Sequence, residues 1–209
     1  MGLLKVITYY ILITALLLEC NHNVKNANKD VKILENKIEK WVFQYNLTGN
    51  KAFLDSSYNY LTSQKYFANN RLNANNIDIL YQVYFTTEKY DELVTLLRKS
   101  EGLKEDDKIY LLNLSNAYSN YQKGDREKGK EYIEKNIIMK QRQLQVNMWD
   151  SIAILDLYLM KSHLKSKENI YHEIDSLKET SDILSDMFFD KILKPEIKNQ
   201  YETFPDFIR

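Results

Sequence analysis

The chain has 209 residues, 44% of them hydrophobic, and its 29 basic and 29 acidic side chains cancel. A chain of that length can bury one good core or stack several small helical units, and its charges are interspersed rather than gathered into the basic stripe that a phosphate backbone requires, which excludes nucleic acid as an expected partner. Only 5 Gly and 2 Pro occur among abundant Leu, Lys, Glu and Gln, a composition that disfavours sandwiches and doubly wound sheets and points to an all-α protein.

At the N-terminus, Lys5 precedes the apolar run Val6 to Leu18, thirteen residues long. That is the length of a signal-peptide core, whereas a spanning helix needs ~20 apolar residues. Leu17-Leu18-Glu19-Cys20 follows, and then a polar stretch rich in Asn and Lys, Asn21 to Asp30, without hydrophobic period. The arrangement resembles a bacterial lipoprotein signal with its lipobox and tether. The resemblance implies that the thiol of Cys20 receives a diacylglyceryl group, that the chain is cut just before it, and that the new amino terminus is acylated. Two or more acyl chains, at ~0.8 kcal/mol per buried methylene, would anchor the protein where one would not. Glu19 departs from the family, which has a small residue there. A cleaved export signal and an uncleaved anchor are the other readings of this segment. The expected organisation is a signal over 1–19, a tether over 20–30, a helical repeat domain over 31–193 and a tail over 194–209.

From Val31 the apolar residues fall at Val31, Leu34, Ile38, Trp41 and Tyr45, steps of three and four that predict a helix ending near Gly49. A second helix starts at Lys51, turns Phe53, Tyr60 and Leu61 inward, and stops before the loop Asn69 to Asn76. Ile77, Leu80, Tyr81 and Tyr84 mark a short helix broken at Thr86 and Thr87. Its partner over Lys89 to Lys99 packs through Tyr90, Leu93, Leu96 and Leu97, and Glu101-Gly102 closes it with a residue able to take positive φ. Asp106 or Asp107 is the natural N-cap of the next helix, whose apolar stripe is Tyr110, Leu114, Ala117, Tyr118 and Tyr121. After the turn Gly124-Asp125, Tyr132, Ile133 and Ile137 face back. One long helix is expected from Gln141 to Ser162 through Leu144, Met148, Ile152, Leu155 and Leu159, with a partner over Lys167 to Glu179 that packs through Ile170, Ile174 and Leu177. Thr180-Ser181-Asp182 would cap a last amphipathic helix carrying Leu184, Met187, Phe188 and Ile192, which stops before Pro195 because proline disfavours helical geometry in its predecessor.

Aligned on their turns, Gly49, Glu88, Gly124 and Lys165 recur at spacings of 39, 36 and 41 residues. That predicts about four two-helix units, which stack because none buries an apolar face alone. Ala117-Tyr118, Gly124-Asp125, Gly129 and Tyr132 before Glu134-Lys135 resemble a tetratricopeptide repeat: an Ala-Tyr pair late in the first helix, a Gly-Asp turn, a small residue early in the second and an aromatic before Glu-Lys. The resemblance implies an α-α superhelix of about four helix-turn-helix repeats with a C-terminal capping helix, and binding of a protein or peptide partner along the first helix of each unit. The run from Ala117 to Gly124 is longer than in the family, Leu93 stands at the small position of the preceding unit, and the closing proline is absent. A generic array of helical hairpins is the other reading.

On the helix from Asp107 to Gln122, Asn113, Asn116 and Asn120 recur at steps of three and four. Their amides both donate and accept, as pairing with an extended backbone requires, and Tyr121 is expected to add an aromatic wall. A solvated helix face is the alternative for these asparagines. His22, His163 and His172 lack metal-ligand spacing, so neither metal nor cofactor is expected, and His163 and His172 are placed at the surface or boundary. No phosphate loop, nucleophile elbow or Cys-His pair occurs. The expected function is therefore non-enzymatic: a scaffold, lipid-anchored in the bacterial cell envelope, that binds a partner protein in a concave groove. The alternative is an inhibitor or immunity-type lipoprotein that neutralises one toxin or enzyme.

Overall fold

A computed structural model describes residues 29–63, 77–100 and 103–203, and all regular structure among them is helical. Cys20, the loop Asn69 to Asn76 and the turn at Glu101-Gly102 lie outside the described residues. The helices are α1 (Lys29–Thr48), α2 (Ala52–Ser63), α3 (Ile77–Thr86), α4 (Tyr90–Lys99), α5 (Glu105–Gln122), α6 (Arg126–Val146), α7 (Ser151–Ser162), α8 (Lys167–Thr180) and, after a π-helical stretch over Phe188–Leu193, α9 (Lys194–Thr203). They divide into two units, one ending at Ser115 and the other beginning at Asn116.

In the first unit α1 packs against α2 and α3, α2 against α3, and α3 against α4. Ile38, Val42 and Tyr45 of α1, Leu54 and Leu61 of α2, Leu80, Val83 and Tyr84 of α3, and Leu93 and Leu97 of α4 form its core. In the second unit α7 packs against α6, α8 and α9, and α8 also touches α9. Ile133 of α6, Ile154 and Met160 of α7, Ile170 and Ile174 of α8, and Phe189, Leu193 and Ile197 of the C-terminal run are buried there. The expected all-α class holds.

Three of the turns share a local device. Gly49, Glu88 and Gly124, the positions that align in the sequence, take φ of 70°, 61° and 83°. A left-handed residue just past a helix lets the chain reverse while its amides reach back to open carbonyls. At two of these turns the next residue bonds five positions back, Lys89 N–H to the Tyr84 carbonyl at 2.8 Å and Asp125 N–H to the Asn120 carbonyl at 2.9 Å. At the first, Gly49 N–H donates to the Tyr45 carbonyl at 2.7 Å, and Asn50 N–H turns to Thr48 Oγ1 at 3.2 Å. Asp125 then caps α6 by accepting from Lys128 N–H at 3.1 Å, and Ser166 caps α8 in the same way.

Elsewhere the helices depart from the expected pattern. The helix expected over Gln141 to Ser162 is broken: α6 extends to Val146 and α7 starts at Ser151. Asp150 makes the break, its Oδ1 accepting from Ile152 and Ala153 N–H at 3.1 and 3.0 Å, and Met148 is left 61% exposed. A cap that strong competes with helix continuation. Asp106 and Asp107 are not caps. α5 starts at Glu105 and holds both in its first turn, where a carboxylate still meets the positive end of the dipole. The helix expected to start at Thr180 to Asp182 and stop before Pro195 does neither. Residues 181–185 are irregular, the π-helical run ends with Lys194 N–H on the Phe189 carbonyl, and α9 continues through Pro195. Proline lacks an N–H and crowds the carbonyl four residues back. The wider five-residue register directly ahead of it eases that conflict.

Glu88 alone of the three carries a Cβ in the left-handed region, and a Cβ at Gly124 would meet nothing within 4 Å. Glu88→Gly should therefore raise unfolding stability by about 1 kcal/mol and Gly124→Ala lower it by about 1 kcal/mol. Urea titrations of the three proteins check both signs.

Candidate functional site

The residues expected to bind a partner sit on α5. Its apolar stripe is buried as expected, with Tyr110, Leu114, Ala117, Tyr118 and Tyr121 all at most 9% exposed. Asn113, Asn116 and Asn120 are half-buried at the margin of that stripe. Asn113 belongs to the first unit, and Asn116, Asn120 and Tyr121 belong to the second. Asn120 Nδ2 donates to the Asn116 carbonyl at 2.7 Å, one turn back. Its amide is therefore engaged on its own helix, a local bond that Asn side chains form readily.

Tyr121, expected both in that stripe and as an aromatic wall, is buried at 8% exposure, as its place in the stripe requires. One residue beyond Asn120 is about 100° round the helix, and that step carries the ring onto α6. A Cβ built on Gly129 would lie 2.3 Å from the Tyr121 ring, so the ring occupies the space that any other residue at 129 would fill. Glycine inside a helix is about 1 kcal/mol worse than alanine, and this close approach is the reason for it here. The ring of Tyr118 meets that of Tyr121 edge-on, with centroids 6.3 Å apart. Burial, with Glu127 and Glu134 nearby, pushes the Tyr121 phenol up to about 12.

The second unit also buries polar groups that a hydrophobic reading passes over. Lys140 Nζ on α6 lies 2.7 Å from Asp156 Oδ2 on α7, with side chains 11% and 5% exposed. Asn136, fully buried, places its amide 4.0 Å from Met160 Sδ. The signal was present in the spacing, because Asn136 and Lys140 follow the buried Ile133 at steps of three and four. His163, expected at the surface or boundary, is completely buried. Its Nε2 lies 3.0 Å from Gln200 Nε2 on α9, and burial pulls its pKa down to about 3, so the ring is neutral. His172 is exposed. In the first unit Gln82 Nε2 donates to Asn46 Oδ1 at 2.8 Å, and the Tyr58 hydroxyl meets Glu92 at 2.8 Å. These pairs join α1 to α3 and α2 to α4.

Among the described residues no group of three or more His, Cys, Asp or Glu is placed to hold a metal ion, and no helix is long and apolar enough to cross a membrane. Comparison with protein-family models, with curated proteins and with solved structures gives no match. What the described residues define is an all-α protein built from helices joined by short turns.

An ion pair this dry is costly to break, because the surviving charge stays buried. Asp156→Ala should lower stability by about 3 kcal/mol, and Lys140→Met with Asp156→Leu should lower it by less. Chemical denaturation of wild type, the single variant and the double variant tests the ordering.

Proposed function

We propose that the protein is a non-enzymatic, lipid-anchored helical scaffold of the bacterial cell envelope that binds a protein partner. What carries the reading is the combination of Cys20, directly after a thirteen-residue apolar run, with helix-turn-helix units that reuse one left-handed turn at Gly49, Glu88 and Gly124. The first feature supplies an address and the second helical surface for a partner. Units related to tetratricopeptide repeats, stacked as an α-α superhelix, are the finer form of the same reading.

Asn116 and Asn120 are the recognition residues in this proposal. The Asn116 carbonyl and the Asn120 amide already pair along α5, which presents an ordered polar edge beside the buried stripe. Exposed apolar side chains at Phe43 and Leu47, one turn apart on α1 and each 59% exposed, offer a second contact area on the first unit. Single exposed apolar residues are ordinary on a protein surface, so the asparagines remain the primary assignment.

Two experiments test the proposal. Cys20→Ala should abolish fatty-acid labelling and move the protein out of the membrane fraction; persistence of both label and location would rule out the anchor. Asn116→Asp combined with Asn120→Asp should reduce the yield of crosslinked partner from intact envelopes about tenfold, the effect of losing one or two hydrogen bonds in a contact. An unchanged crosslinking pattern would remove α5 as the binding face. Recovery of a single foreign effector instead of a resident envelope protein would favour the inhibitor or immunity reading.

A further inference from the structure

The contact between His163 and Gln200 is unusual because both residues are buried and, among the described residues, neither is fully satisfied. His163 closes α7, its N–H on the Met160 carbonyl at 3.1 Å, and its ring is completely enclosed. Gln200, 3% exposed, comes from α9. An amide nitrogen only donates, so with the side chain as placed His163 Nε2 accepts and the ring proton sits on Nδ1. Among the described residues, Nδ1 and Gln200 Oε1 then find no hydrogen-bond partner. Turning the amide over lets Oε1 accept from Nε2–H, but it leaves Nδ1 and the amide NH2 unmatched. In either arrangement the neutral ring makes one good bond. A doubly protonated ring carries two donors and finds only one acceptor, the amide oxygen.

Among the described residues, no neighbouring charge acts on the ring to offset its burial. Tyr118 of α5 meets the imidazole edge-on at 5.7 Å. The charged groups of the neighbouring helices are engaged with one another: Lys140 of α6 with Asp156 of α7, Lys161 of α7 and Lys165 of the following turn with Glu173 of α8, and Lys194 of α9 with Asp175 of α8. We propose that His163 and Gln200 form an acid-sensitive latch that holds α9 on α7 and α8, so that acidification releases α9 before the rest of the second unit opens. Besides the ion pair of Lys194 with Asp175, Tyr171 Oη donates to the Lys194 carbonyl at 3.2 Å and Tyr201 Oη to the Lys165 carbonyl at 2.5 Å; both join a phenol to a backbone carbonyl, and neither phenol changes charge in mild acid. Release uncovers Ile197, fully buried when α9 is docked.

Burial holds the His163 pKa at about 3 against an ordinary value of 6.5. Between those values the opened state binds one proton more than the docked state, so the latch is at full strength above pH 6.5 and weakens as pH falls through that range. At pH 5.0 the opening equilibrium of α9 should be about thirty times that at pH 8. Hydrogen exchange of the full chain, read by mass spectrometry and corrected for intrinsic exchange rates, tests this directly. The expected result is a rise of that size in peptides from Lys194–Thr203 with at most a small change in Arg126–Val146, and loss of the rise in His163→Gln. No rise in α9, an equal rise in α6, or a rise that persists in His163→Gln would overturn the latch. Should the variant fail to fold, the wild-type comparison of α9 with α6 decides alone.

Discussion

The constraint on which the architecture rests is the reversal between paired helices. Only residues 49–51, 87–89 and 123–125 separate the helices at the first three of these turns. A helix leaves its last carbonyls open, and a connection this short cannot leave that end buried and unsatisfied. The left-handed residue meets both demands at once, turning the chain back and pointing the next amide at an open carbonyl. Glycine holds the position twice. At Glu88 the bond from Lys89 to the Tyr84 carbonyl and the buried Tyr84 and Tyr90 on either side hold the conformation without it. The turn geometry thus dictates which faces meet, and Leu93 and Ile133, both fully buried, sit on the helices that follow two of these turns.

Apolar packing brings the helices of the second unit together but does not by itself specify their register, because Leu, Ile and Met tolerate sliding. The buried polar pairs add that specification. Lys140 and Asp156 meet only when α6 and α7 stand at one offset, and His163 meets Gln200 only when α9 lies in one position over the end of α7. Any slip leaves a charge or an amide unpaired in an apolar interior, which costs several kcal/mol for a charge and about 1 to 3 kcal/mol for a neutral group. Gly129 adds a steric counterpart to this polar specification. The Tyr121 ring fits against α6 only where no side chain stands.

What was legible in the sequence follows from which signals are periodic and which are single. Ile38 and Tyr45, Leu93 and Leu97, Leu114 and Tyr118, and Ile170 and Ile174 recur at helical steps, and all eight are buried where that period puts them. The turns at Gly49 and Gly124 were visible because glycine marks positive φ. Glu88 was visible only through its alignment with them. The break at Asp150 was missed because the period runs on from Leu144 to Leu159, and one carboxylate accepting two amides outweighs it. Among the candidate binding residues, helical spacing puts Asn113, Asn116 and Asn120 on a shared margin of α5 and Tyr121 on its apolar stripe, where it is buried. His163 was read as polar and hence peripheral. Its burial depends on α9, more than thirty residues further along the chain, which no local pattern records.

The C-terminal run shows how a local rule yields to packing. Proline at 195 forbids an ordinary bond to the carbonyl four residues back, and the residue before it avoids helical angles, yet Lys194 sits at φ −62° and ψ −43°. The strain is tolerable because the preceding residues have widened to the five-residue register, and that change has a packing consequence. Each extra residue per turn rotates the side chains that follow relative to those before. Phe188, Phe189 and Leu193 within the widened stretch and Ile197 beyond it are all buried, whereas in a regular helix Phe188 and Ile197, nine residues apart, would face opposite sides. The π-helical stretch thus brings Phe188 onto the side that Ile197 faces, and Gln200, three residues beyond Ile197 on the same face of α9, places the apolar contact and the hydrogen bond to His163 in the same position of α9.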